Sequence, residues 1–133
     1  MTAMTYAMTV RVPGPFQGTV ERVRAALKEQ GFGVLTEIDV RATLREKLGE
    51  QMEDYLILGA CNPPLAHKAL CVDREIGLLL PCNVVVRGYS PGTTLVQALD
   101  PRTMVQITGR PELTDVADEA TARLRTALAT LEG

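Results

Sequence analysis

The side chains with the widest chemical scope in this chain are its three cysteines, two of which sit in a repeated setting. One is Gly59-Ala60-Cys61-Asn62-Pro63-Pro64 and the other Leu80-Pro81-Cys82-Asn83-Val84. A cysteine acts as nucleophile, metal ligand or redox switch according to its thiolate fraction. Cys61 closes an apolar, strand-like run directly before Asn62-Pro63, a strong helix start, because Asn accepts from the free N–H groups and Pro is preset for the first helical position. A sulfur beside the positive end of a helix dipole is in a setting that favours a thiolate. The competing reading is that both cysteines are buried hydrophobes filling core gaps.

Other residues could join them. His67 and Cys71 are four apart on one expected helix and share a face, so Cys61, His67, Cys71 and Cys82 form a candidate nitrogen–sulfur site for zinc or another transition metal. The spacing is loose, with neither Cys-x-x-Cys nor His-x-x-x-His present. The reading therefore favours no cofactor, with zinc as the alternative. A Cys61–His67 nucleophile pair needs the imidazole within hydrogen-bond reach of the sulfur, oriented by a third group such as Asn62 or Asn83. Glu37 and Asp39 alternate along a strand end and face one side, which allows paired-carboxylate chemistry or a hard cation. The simpler reading gives Asp39 a helix to cap and Glu37 an ion pair with Arg41 or Arg45.

The elements that must position these groups follow from periodicity. Thr9 to Val12 alternates as a strand before Pro13-Gly14-Pro15. Val20, Val23 and Leu27 mark a helix with Thr19 as N-cap and Gly31 past its end. Phe32 to Val40 reads as a strand with Phe32 and Val34 inward and Leu35 and Ile38 as further inward candidates. A helix from Val40 to Leu48 places Leu44 and Leu48 on one face, with Arg41, Arg45 and Lys47 solvated and Gly49 as the stop. Tyr55 to Cys61 is apolar enough for a central strand, and a helix runs from Pro63 to about Cys71. The uncharged stretch from Ile76 to Val86 is too short to span a bilayer and reads as buried. Cys82 to Arg87 and Thr93 to Leu99 flank a hairpin turn at residues 88–92. Asp100-Pro101 opens a short helix to about Gln106, and apolar positions from Leu113 to Leu131 keep helical period in the last one.

The resulting order, β-α-β-α-β-α-β-β-α-α, has no linker that would divide it. It predicts one α+β domain over residues 1–133, a mixed or antiparallel sheet of about five strands covered by helices, with residues 1–4 as a disordered start. A small doubly wound α/β sheet is the alternative. The 133 residues are 46% hydrophobic, enough for a proper core. Sixteen acidic and 14 basic residues are scattered rather than blocked, and with 4% aromatics and no Trp the chain lacks the basic patch and stacking platforms of a nucleic-acid binder. No membrane segment is expected. The first eight residues lack the basic start and apolar core of a secretory signal, so a cytoplasmic location with reduced thiols is expected.

Several segments in fixed order resemble one prokaryotic family. They are Phe32 to Val40, Thr43-Leu44, Lys47-Leu48-Gly49, Tyr55 with Ile57 to Pro63, and Ile76 to Val84. Together they are similar to the domain of unknown function 302 family, over about the first hundred residues. The resemblance implies a small α+β domain, expected as a homodimer, with Glu37, Asp39, Lys47, Cys61, Asn62, Pro63, His67, Pro81, Cys82 and Asn83 at motif positions. It implies no reaction.

Three functions are compatible with these residues. The first is a homodimeric small-molecule-binding or thiol-redox accessory protein in which Cys61 is the reactive sulfur, Cys82 its partner, and His67 and Asn83 shape the pocket. The second is a structural or protein-interaction module with inert cysteines. The third is a domain holding a transition metal.

Overall fold

The computed structural model of the chain describes residues 6–132, so the expectation of a disordered start at residues 1–4 lies outside the described residues. Five strands form one sheet, β1 (Ala7–Pro13), β2 (Gly33–Asp39), β3 (Tyr55–Cys61), β4 (Cys82–Ser90) and β5 (Thr93–Leu99). Their spatial order is β1-β5-β4-β3-β2 and every neighbouring pair is antiparallel. The α+β expectation holds, and a doubly wound parallel sheet is excluded because each ladder runs antiparallel. The α-helices are α1 (Phe16–Glu29), α2 (Val40–Leu48), α3 (Pro63–Val72), α4 (Thr103–Thr108) and α5 (Thr114–Ala129). Short 3₁₀ turns at Arg74–Leu79 and Pro111–Leu113 precede β4 and α5.

Alternation along the strands builds the core. Leu56 and Leu58 on β3 face Val86 and Val84 on β4, which in turn face Val96 and Ala98 on β5. These rows pack with Val20, Val23 and Leu27 of α1 and Leu124, Ala127 and Leu128 of α5 in one buried cluster. A second cluster joins Leu65 and Ala69 of α3, Ile76, Met104 of α4, and Val116 and Ala120 of α5. The two clusters meet α5 along its length, so that helix ties the sheet to the α3–α4 side of the molecule. Burying one such aliphatic side chain contributes about 1.5–3 kcal/mol.

Several local expectations change. Thr19 does not cap α1, which starts three residues earlier behind Pro15. The proline supplies the extended cap geometry, and the Thr19 hydroxyl donates back to Pro15 O at 3.0 Å from within the first turn. Leu35 and Ile38 are not inward, being 68% and 50% exposed. The ladder between β2 and β3 slips between Val34 and Thr36, leaving Leu35 unpaired, and Ile38 faces Ile57 on the sheet surface away from α1. Leu48 is 68% exposed, and α2 carries no buried side chain, although Asp39 caps it by accepting from Ala42 N at 2.9 Å. Residues 76–86 do not form one buried segment. In the 3₁₀ turn Ile76 is buried while Leu78 is 86% exposed, and a cis peptide joins Leu80 to Pro81 before β4 begins.

Asp100 does not cap α4 but anchors the junction between β5 and that helix. It is 9% exposed and accepts from Arg102 Nη2 at 2.6 Å, Arg102 N at 2.9 Å and Thr121 Oγ1 of α5 at 3.5 Å. The Arg102 side chain holds its carboxyl below the usual carboxylate range, against the opposing effect of burial. A carboxylate with a lowered folded pKa stabilises the fold above its unfolded value of about 4 and loses that contribution as pH falls through the folded value. Asp100→Asn is therefore expected to lower unfolding free energy in urea by about 1–2 kcal/mol at pH 7. The difference from the parent chain should shrink as pH drops below about 4.

Candidate functional site

Where β3 ends, the chain turns straight into α3. Asn62 is 8% exposed, and its Oδ1 accepts from Leu65 N at 3.3 Å while its carbonyl accepts from Ala66 N at 2.9 Å. Pro63 fills the first helical position. The Asn62 amide nitrogen lies against Gly31, where an added Cβ would come within 3.1 Å of it. Gly31 also holds a positive φ of 84°, so no other residue suits that turn between α1 and β2. The capping expectation for Asn62 holds, and the cap fixes Cys61 at the sheet's end.

Cys82 opens β4 opposite Ala60, one residue from Cys61. Strand spacing puts the two cysteine Cα atoms about 6 Å apart. Both residues are half-buried free thiols and both line one cavity of about 30 Å³. Its walls include Phe32, Leu65, Pro81, Met104 and Val116, so sheet end, α3, α4 and α5 all contribute. Gly59 keeps the strand crossing open, because a Cβ there would run into Thr36 Oγ1 and come within 2.9 Å of Pro81 Cγ. Periodicity marked Val116 and Ala120 only as core positions. Met104 carried no signal that would separate a cavity wall from ordinary packing.

Burial pushes the Cys82 thiol up to about 11, and the neighbouring Cys61 sulfur adds to the shift. A charge on the Cys82 sulfur has little water to solvate it and no cation beside it in the cavity wall. Cys82 is therefore a protonated donor at neutral pH.

The remaining candidates lie elsewhere. His67 is exposed on α3 with its Nε2 3.6 Å from Cys71 Sγ, which is also exposed, and neither lines the cavity. Asn83 is exposed opposite Gly59 and does not line it either, so the two Cys-Asn dipeptides are not equivalent: one Asn caps a helix and the other meets solvent. Among the described residues no group of three or more His, Cys, Asp and Glu side chains is placed to hold a metal. Glu37 and Asp39 do share a side, lining a groove of about 470 Å³ beside α1 with Asp54. Glu37 pairs with Arg24 of α1, not with Arg41 or Arg45, because it sits on the sheet face that α1 covers. Arg41 pairs instead with Asp54 at 2.7 Å. Among the described residues no helix is long and apolar enough to cross a membrane.

The protonated state of Cys82 has a measurable signature. Its folded pKa lies above the ordinary thiol value, so its contribution to stability is complete below pH 9 and is lost as pH rises towards 11. Relative to Cys82→Ala, the parent chain should lose on the order of 2 kcal/mol of unfolding free energy between pH 8 and pH 11. Urea titrations of both proteins at each pH measure the difference; parallel curves would contradict it.

Comparison with known proteins agrees with the fold. No curated protein matches the chain. Among solved structures, an uncharacterised conserved DUF302 protein from Bacillus stearothermophilus is 32% identical, with a TM-score of 0.89 over 96% of this chain and 99% of that one. A family model described as domain of unknown function DUF302 matches residues 8–131. By sequence and by fold, the chain belongs to the DUF302 family.

Proposed function

We propose that this protein is a thiol-redox accessory protein in which Cys61 and Cys82 cycle between a dithiol and a disulfide. The observation that carries the reading is that Cys61 and Cys82 border one small apolar cavity. Pockets for drug-sized ligands measure about 300–1,000 Å³. A cavity of about 30 Å³ has room for an atom or a water and not for an organic substrate, which disfavours small-molecule binding at the two cysteines. The Cα spacing falls within the about 4.4–6.8 Å of a disulfide, while the pleat starts the two side chains on opposite faces, so closing the bond requires backbone movement at the sheet end.

The exchange balances with a disulfide R–S–S–R as oxidant. The Cys61 thiolate attacks one sulfur, forming Cys61–S–S–R and releasing the first R–S⁻, which takes up a proton. Cys82 then gives up its proton and attacks the Cys61 sulfur, closing the internal disulfide and releasing the second thiol. Two cysteine thiols are oxidised and one disulfide is reduced. The high thiol pKa of Cys82 keeps it protonated until the mixed disulfide forms, so Cys61 attacks and Cys82 resolves. Incubating reduced protein with oxidised glutathione and mapping disulfides by non-reducing peptide mass spectrometry tests this. A Cys61–Cys82 crosslink is expected, with Cys71 at most glutathionylated. Both cavity sulfurs staying reduced until the protein unfolds would instead support inert structural cysteines.

A homodimer is the second part of the reading, and the outer face of the sheet favours it. Ile38, Ile57 and Val85 lie in one row across β2, β3 and β4 on the face turned away from α1, and Leu35 beside them is 68% exposed. A second copy of the chain docked there would remove this apolar strip from water. Sedimentation equilibrium is expected to give twice the chain mass for the parent and the single chain mass for Ile38→Lys; a monomeric parent would refute the dimer.

A further inference from the structure

His67 and Cys71 stand four residues apart on α3, so both project from one face of that helix. Their donor atoms converge, with His67 Nε2 3.6 Å from Cys71 Sγ, and both residues are exposed. Zinc holds an imidazole nitrogen at about 2.0–2.1 Å and a thiolate sulfur at about 2.3 Å, and a tetrahedral angle between them puts those two donors about 3.5–3.6 Å apart. The pair therefore already has the spacing of two neighbouring ligands in a tetrahedral zinc site. A closed site takes four donors, yet among the described residues no third His, Cys, Asp or Glu joins these two. Donors from outside the chain complete it, and a two-fold axis beside α3 would bring up the same pair from a second copy. The face suits that approach. Pro63 and Pro64, one turn before His67, are exposed and uncharged, and Lys68, the one charged side chain of α3, points about 100° round the helix from His67.

We propose that His67 and Cys71 are half of a zinc site, completed by the same two side chains of a second copy of the chain, with one ion shared between the two. Each copy gives one thiolate and one neutral imidazole, so Zn²⁺ and two thiols become a Zn(S)₂(N)₂ unit and release two protons; no electron moves. The two thiolates cancel the charge of the ion, and the neutral unit needs no counter-ion at the surface. Cys61 and Cys82 take no part, because the cavity that they border includes neither His67 nor Cys71 in its wall. The site stands independently of the thiol-redox reading and of the contact through the outer face of the sheet.

The test is sedimentation equilibrium of protein kept reduced with a phosphine, with zinc added to half an equivalent per chain. The mass is expected to double over that of the metal-free protein, and a chelator should reverse the change. His67→Ala and Cys71→Ser alter an exposed helix face and should each abolish the doubling. Repeating the experiment on Ile38→Lys separates this contact from the one through the sheet: zinc should double the mass of that variant as well. Cobalt(II) in place of zinc should give the visible absorption of a tetrahedral ion and a thiolate charge-transfer band, both lost in Cys71→Ser. Zinc that does not bind, zinc that saturates at one ion per chain with no change in mass, a doubling that survives Cys71→Ser, or a doubling lost in Ile38→Lys each overturns the proposal.

Discussion

The hydrogen bond from Leu65 N to Asn62 Oδ1 decides where β3 stops and α3 starts, and the geometry of the cavity depends on that boundary. β3 is paired on both sides, so its register is set by β2 and β4 together. Cys61 is the last paired residue of β3, opposite Gly33, so the pleat turns it to the face opposite Cys82, which pairs with Ala60. The chain leaves the sheet at Asn62, and Cys61 and Cys82 both border one cavity at the sheet's end. Gly31 supports the same boundary from the neighbouring turn, since a larger residue there would crowd the Asn62 amide.

Much of this was legible in the residues. Asn62-Pro63 announces a helix start, Tyr55 to Cys61 a buried strand, and residues 88–92 a hairpin, each through a local chemical rule that tertiary packing did not override. The misreadings share a cause. Leu35, Ile38, Leu48 and Leu78 are apolar residues at positions that periodicity alone treats as core, yet all are at least half exposed. A bulge, a sheet face turned from the helices, a helix with no buried face and a 3₁₀ turn each break the link between being apolar and being inside. None of the four leaves a mark in a short window of sequence.

The site was half legible for a related reason. Cys61 and Cys82 share an apolar setting and border one cavity, but the repetition of Cys-Asn suggested an equivalence that the backbone denies. Asn62 follows the last residue of a strand and Asn83 is the second residue of one, so their side chains do opposite jobs. His67 was drawn towards the cysteines by sequence proximity, whereas helical geometry aims it at Cys71. The fold thus separates the three thiols into two half-buried ones at the sheet's end and a surface one, with different access to solvent and oxidants.

The strand order carries a consequence for how the molecule assembles. β5, β4, β3 and β2 are joined to their neighbours through connections of modest length, with Ala60 facing Cys82 and Asp39 facing Leu56. β1 is different, because its nearest pair joins Pro13 to Thr93 across most of the chain. Closing that roughly fourfold longer loop costs about 1 kcal/mol more in chain entropy than closing the β3–β4 ladder. Four strands and the cavity's sheet end can form before β1 arrives, so the strand that precedes the other four in the chain is the one whose pairing must wait for nearly all the rest.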